Sequence, residues 1–150
     1  MMPDSYPAIP ADDDHWIGGK AEVDGRPMII RVRPDLQNFR DRSEFPRKLL
    51  VLWEFGDNNP AGMPDQRQND DMRLFEDAAV PAFDERHAAI LAYVLTYHGR
   101  REWHFYFSNM ELVSQTLNTA LSSLPKMPIY VEAGDDPGWG EYLALMNSFV

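Results

Sequence analysis

Downstream of residue 48 the apolar pattern switches repeatedly between strand and helix periods, and that succession limits the folds open to the chain. Residues 49–55 form a continuous apolar run broken only by Glu54, the pattern of a strand buried on both faces. Met72, Phe75, Ala79 and Phe83 then recur at helical spacing. Residues 89–97 and 102–107 read as strands joined around His98-Gly99-Arg100-Arg101. Leu112, Val113, Leu117, Ala120, Leu121 and Leu124 make a second helical stripe, and residues 129–133 a short last strand. Strand, helix, strand, strand, helix, strand is the split βαβ order of a ferredoxin-like sandwich. Right-handed crossovers then place both helices on one face of an antiparallel sheet. The expected class is α+β, with this βαββαβ core over residues 48–133.

Local signals set the boundaries. Asp24-Gly25 between residues 16–23 and 26–33 is a two-residue hairpin signature, because both turn positions need positive φ. The turn pairs Val23 with Arg26, Ala21 with Met28, Gly19 with Ile30 and Ile17 with Val32, leaving one face almost wholly apolar. This hairpin, residues 15–33, precedes the core and either extends the sheet or covers part of it. Asp65 and Gln68 have capping-box spacing, as do Ser108 and Glu111. Pro81 is expected to kink or shorten its helix. Residues 134–150 read as a turn and a short closing helix. Residues 1–14, with Pro3, Pro7, Pro10 and Asp12-Asp13-Asp14, read as a flexible acidic arm, which leaves residues 15–150 as a single domain.

Composition excludes several functions. The 150 residues contain no cysteine, which removes disulfides, thiolate metal sites and a cysteine nucleophile. The amino terminus has no signal-peptide pattern, and no apolar run is long enough for a membrane span, so a cytoplasmic protein without membrane contact is expected. None of the four histidines has HxH or HExxH spacing, and no phosphate-binding glycine loop or serine elbow occurs. Asp12-Asp13-Asp14-His15 is a poor cation site in so loose an arm. No metal and no cofactor is expected. The net charge of −10 opposes nucleic-acid binding. Residues 26–48 run against that charge, with seven basic side chains and three acidic ones. Arg31, Arg33, Arg40, Arg42 and Arg47 form its candidate basic patch, for an acidic partner or for the chain's own acidic helix.

Two helices on one sheet face leave the other to be explained. Pairing Tyr97 with Glu102 sets Thr96 opposite Trp103, Val94 opposite Phe105 and Ala92 opposite Phe107, all toward the helices. The other side then carries Tyr93, Tyr97, His104 and Tyr106, a candidate recognition surface for a protein partner, a small ligand or a second copy of the chain. Glu102 and His104 share that side two residues apart, a weak candidate general acid–base pair. Trp103, Phe105 and Phe107 sit where RNA-recognition motifs stack bases, but they serve better as core. The reading that results is a non-catalytic binding or regulatory module. The Glu102/His104 enzyme is the first alternative, and contact with a ribonuclease or RNA the second.

Gly62-Met63-Pro64, Thr96-Tyr97-His98-Gly99-Arg100-Arg101-Glu102, Phe105-Tyr106 and Asp136-Pro137-Gly138-Trp139 with Tyr142 occur in an order that resembles the bacterial domain of unknown function 695. Trp16 and Asp24-Gly25-Arg26-Pro27 extend the resemblance over residues 15–145. It implies no activity, cofactor or catalytic residue. It does imply a fold similar to the regulator of ribonuclease E activity B family, a small acidic inhibitor of an RNA-degrading enzyme.

Overall fold

The computed structural model describes residues 16–149; the acidic arm and the Asp12–His15 cluster lie outside them, as does the Arg40 side chain. The elements are β1 (Ile17–Val23), β2 (Arg26–Val32), two short 3₁₀ turns (Pro34–Asn38, Arg40–Glu44) and β3 (Arg47–Glu54). Then come α1 (Gln66–Arg86), β4 (Ala89–Tyr97), β5 (Arg100–Phe107), α2 (Met110–Leu121), β6 (Ile129–Asp135) and α3 (Gly140–Asn147). All six strands pair antiparallel in one sheet, in the order β1-β2-β4-β5-β3-β6.

Turn chemistry sets the hairpin registers. Asp24 and Gly25 take φ of 54° and 77°, and the pairing runs from Val23↔Arg26 to Ile17↔Val32, as the sequence predicts. The hairpin extends the sheet, with β2 pairing along β4 from Met28↔Tyr97 to Val32↔Tyr93. The β4–β5 hairpin departs from expectation. Its turn closes on two residues, His98 and Gly99 (φ 47° and 78°), not four, so Tyr97 faces Arg100, Thr96 faces Arg101 and Val94 faces Trp103. A slip of two residues preserves the faces. A bulge between Leu91 and Tyr93 does not, and it turns Ala92 away from the helices.

Gly99 is also fixed by a close approach. A Cβ there would stand 2.7 Å from the Gly56 carbonyl carbon, whereas one at Gly25 would meet nothing within 4 Å. Both have positive φ, so comparing Gly99→Ala with Gly25→Ala isolates the contact. We expect Gly99→Ala to cost more than about 1 kcal/mol beyond Gly25→Ala in urea unfolding. Equal costs would show that the turn does not depend on this packing.

The helices start where side chains satisfy their first amides. Asp65 accepts from the Gln68 amide at 2.8 Å, and the Gln68 side chain accepts from the Asp65 amide at 2.8 Å, the expected box. Helix α1 continues past Pro81 to Arg86, because Pro81 lies on its exposed side, where water can serve the freed carbonyl. Helix α2 is capped by Asn109, which accepts from the Leu112 amide at 3.1 Å, and not by Ser108.

The sheet is covered on both faces. Met72, Phe75, Ala79 and Phe83 of α1, with Val113 and Leu117 of α2, pack on Leu49, Val51, Leu91, Val94, Trp103, Phe105 and Phe107. Across the sheet, Trp139, Tyr142 and Met146 pack with Leu36 and Phe45 on Val32, Ile90, Ala92, Tyr93 and Tyr106. This second layer spans only part of its face. Leu50, Leu52 and Leu95 remain half-buried and Tyr130 is 60% exposed.

Candidate functional site

The uncovered part of that second face holds the residues of chemical interest. Strand alternation sets Glu102 and His104 side by side on β5, with His104 Nε2 2.8 Å from Glu102 Oε1. The Tyr97 hydroxyl donates to Glu102 Oε2 at 2.9 Å, and Arg100 donates to that hydroxyl while its Nε stands 3.4 Å from the same carboxylate. Burial alone would raise the Glu102 carboxyl. The bonds from His104 and Tyr97 and the Arg100 charge outweigh it and hold the group below its ordinary value. Burial pushes the His104 imidazole below its ordinary value, against the pull of Glu102 and with help from the Lys48 ammonium. An ionised Glu102 can only accept, so a neutral His104 carries its proton on Nε2. Its Nδ1 is then a buried acceptor without a partner.

Tyr93 lies flat on His104, ring centroids 4.3 Å apart and 12° from parallel. Lys48 Nζ donates to the Tyr93 hydroxyl at 2.7 Å and to Glu141 Oε1 at 2.9 Å. A cleft of about 300 Å³ opens beside this row, lined by Lys48, Leu50, His104, Glu132, Ala133, Gly134, Asp135 and Glu141. Three carboxylates thus surround one ammonium already bonded to one of them.

The expected recognition surface is therefore redrawn. Tyr106 is fully buried: it stacks under Trp139 at 4.1 Å and donates to Asp136 Oδ2 at 2.7 Å. Tyr93 is 5% exposed and His104 7%, so they form a floor and not a platform. Tyr97 remains half-buried. The residues brought together are Tyr97, Glu102, His104 and Tyr93, and the ones the sequence reading missed are Lys48, Glu132 and Glu141.

Among the described side chains the basic run does not form one patch. Arg31 pairs with Glu76 at 2.7 Å, on the chain's own acidic helix. Arg33 is 5% exposed and donates to the Leu91 carbonyl at 3.3 Å. Arg42 holds the Leu36 and Gln37 carbonyls. Arg47 pairs with Asp135 at 3.5 Å and lies over the Phe107 ring. Arg31 and Arg33 lie over the Trp16 ring and Arg47 over Phe107 on the helix-bearing face, strands apart, while Arg42 serves the 3₁₀ turns.

The landmark motifs converge on two structural joints. Gly99 N donates to the Gly62 carbonyl at 2.9 Å, Arg26 grips Asp57 and the Pro60 carbonyl, and His98 Nε2 meets the Val23 carbonyl at 2.9 Å. Asp136 accepts from the Gly140 and Glu141 amides at the start of α3, and Trp139 Nε1 donates to the Phe45 carbonyl at 2.9 Å. Among the described residues no group of three His, Asp or Glu is placed to hold a metal ion, and no helix is long and apolar enough to cross a membrane.

These features define an α+β domain built on one antiparallel sheet, with motifs that lock its architecture and an acidic cleft on a half-covered face. The chain belongs to the family of unknown function DUF695, which matches residues 14–146. No curated protein and no solved structure matches it.

Proposed function

We propose that the protein is a non-catalytic binding module that seats a cationic group of its partner in the cleft beside β3 and β6. The cleft chemistry carries this reading: Glu132, Asp135 and Glu141 line it, and with Lys48 engaged by Glu141 and Arg47 reaching Asp135 at 3.5 Å, Glu132 is left without an ion pair among the described residues. Such a surface offers acceptors to a guanidinium or ammonium donor. The neighbouring Leu50, Leu52 and the exposed Tyr130 add apolar area for a protein partner or a second copy of the chain. The strand order β4-β5-β3-β6, with α1 and α2 on one face, supports reading this part as a ferredoxin-like core extended by the β1–β2 hairpin. The absence of cysteine supports a cytoplasmic location.

The catalytic alternative has less support. Glu102 is occupied by Tyr97, Arg100 and His104, and the remaining imidazole nitrogen is sealed from solvent. A general base must reach its proton. The alternative of contact with a ribonuclease or RNA has less support, because Arg31, Arg33, Arg42 and Arg47 each hold a partner within the chain.

An amide-resonance titration with a tri-arginine peptide tests the proposal. It should shift Leu50, His104, Glu132 and Gly134, with the effect weakening as salt rises. A tri-glutamate peptide should shift none of them, and Glu132→Gln/Glu141→Gln should weaken binding roughly tenfold. Unmoved cleft resonances at millimolar tri-arginine would overturn the reading.

A further inference from the structure

On the opposite face, where α1 crosses β2 and β5, lies a second and chemically inverse cavity. It holds about 290 Å³ and is lined by Arg31, Asn69, Arg73, Glu76 and Arg101. Three guanidinium groups thus face one carboxylate. That carboxylate is committed: Glu76 Oε1 accepts from Arg31 Nη2 at 2.7 Å and from Trp103 Nε1 at 2.8 Å. Arg101 is held by neutral groups, with Nε donating to Thr96 Oγ1 at 2.9 Å and Nη2 to Asn69 Oδ1 at 3.0 Å. Neither Arg73 nor Arg101 makes an ion pair among the described residues.

A surplus of two positive charges at a cavity is unusual in a chain of net charge −10. Burying a guanidinium without a counter-charge is costly unless an anion supplies it. Burial and repulsion from Arg31 lower Arg101 from its ordinary value to about 10; the already shared Glu76 carboxylate opposes this only in part, and Arg73 adds to the repulsion. Planar forks converging from a strand, a second strand and a helix match the tetrahedral oxygens of a phosphate group better than a single carboxylate.

We infer that Arg31, Arg73 and Arg101 form a binding site for a phosphate group, either free phosphate or a phosphate monoester of a small metabolite. The cavity has room for more than phosphate alone, so the two sources differ measurably. Arg101 fixes the floor through Thr96 and Asn69. Arg73, exposed on α1, closes over the bound oxygens from the solvent side.

Calorimetric titration at low ionic strength with inorganic phosphate, and separately with adenosine monophosphate, tests the site. Binding of either at millimolar concentration or better, weakened about tenfold or more in Arg73→Ala, is the expected result. Tighter binding of the nucleotide would assign the site to a phosphate monoester, and equal binding to phosphate itself. Arg73→Ala removes no contact that the fold uses, so an unchanged melting temperature without ligand should accompany the loss. Arg101→Gln, which keeps a donor to Thr96 but removes the charge, should weaken binding comparably. No heat from either probe up to 10-fold above about 1 mM, or binding equal in wild type and Arg73→Ala, would overturn the assignment.

Discussion

Trp139→Ala is expected to lower the unfolding free energy by about 3–5 kcal/mol, the range for removing a large buried aromatic side chain. The residue is fully buried and lies in three aromatic contacts: stacked on Tyr106 at 4.1 Å, edge-on to Tyr142 at 5.9 Å and tilted against Phe39 at 6.0 Å. Its indole nitrogen also joins α3 to the Phe45 carbonyl. Truncation therefore opens a cavity, leaves a buried carbonyl unpaired and loosens both segments that cover the second sheet face. Trp139→Phe separates the effects. It keeps most of the ring stacking and loses the hydrogen bond, so about 1–3 kcal/mol should go with it. Urea midpoints of the two variants check the ordering. With Tyr93 and Tyr106 uncovered, Trp139→Ala should also associate at concentrations where the parent does not, measured by sedimentation. A Trp139→Ala cost below about 1 kcal/mol would mean that the second layer contributes little to the fold.

That covering layer shows where sequence reasoning reached and where it stopped. The β1–β2 register was legible because Asp24-Gly25 admits one turn geometry and the alternation agrees with it. The β4–β5 register was not, because His98 takes a positive φ that nothing in its own identity requires. The error was an even number of residues, so Tyr93, Glu102 and His104 still fell on one face. Ala92 could not be placed, since a bulge is a property of two strands and not of one. Trp139, Tyr142 and Met146 have helical spacing, but their docking partner Phe45 is 94 residues away from Trp139. Lys48 was within reach: it is two residues before Leu50 on the face that Leu50 shares with His104, and beginning the strand at residue 49 concealed it. The arginine run was read as one patch because charge was summed along the chain, whereas strand alternation and burial decide where each guanidinium points.

The Glu102/His104 pair predicts how stability responds to acid. In the folded protein His104 titrates below its ordinary value, chiefly through burial, so between that folded value and the ordinary one near pH 6.5 the unfolded chain binds more protons. Stability conferred by the neutral imidazole is complete above pH 6.5 and declines as pH falls through that value, by at most about 1.4 kcal/mol per pH unit. Glu102 is also lowered in the folded state, so its contribution is present above the ordinary carboxylate range and is lost at still lower pH, with the same sign. The acid limb should therefore begin with His104 and steepen as Glu102 titrates. Asp57, Glu76 and Asp136, lowered as well, join the second phase. His104→Gln should flatten stability from pH 7 to the start of the carboxylate phase. Glu102→Ala should cost about 3 kcal/mol at pH 7, because it strands the imidazole N–H, the Tyr97 hydroxyl and the Arg100 guanidinium together. It should also extend the histidine phase: without the carboxylate that raises it, His104 titrates lower still, and its slope persists to lower pH. Equilibrium unfolding across pH 4–8 with proton-detected titration of the His104 ring separates these outcomes. A His104→Gln limb identical to wild type would show that the imidazole is not the group the fold holds neutral.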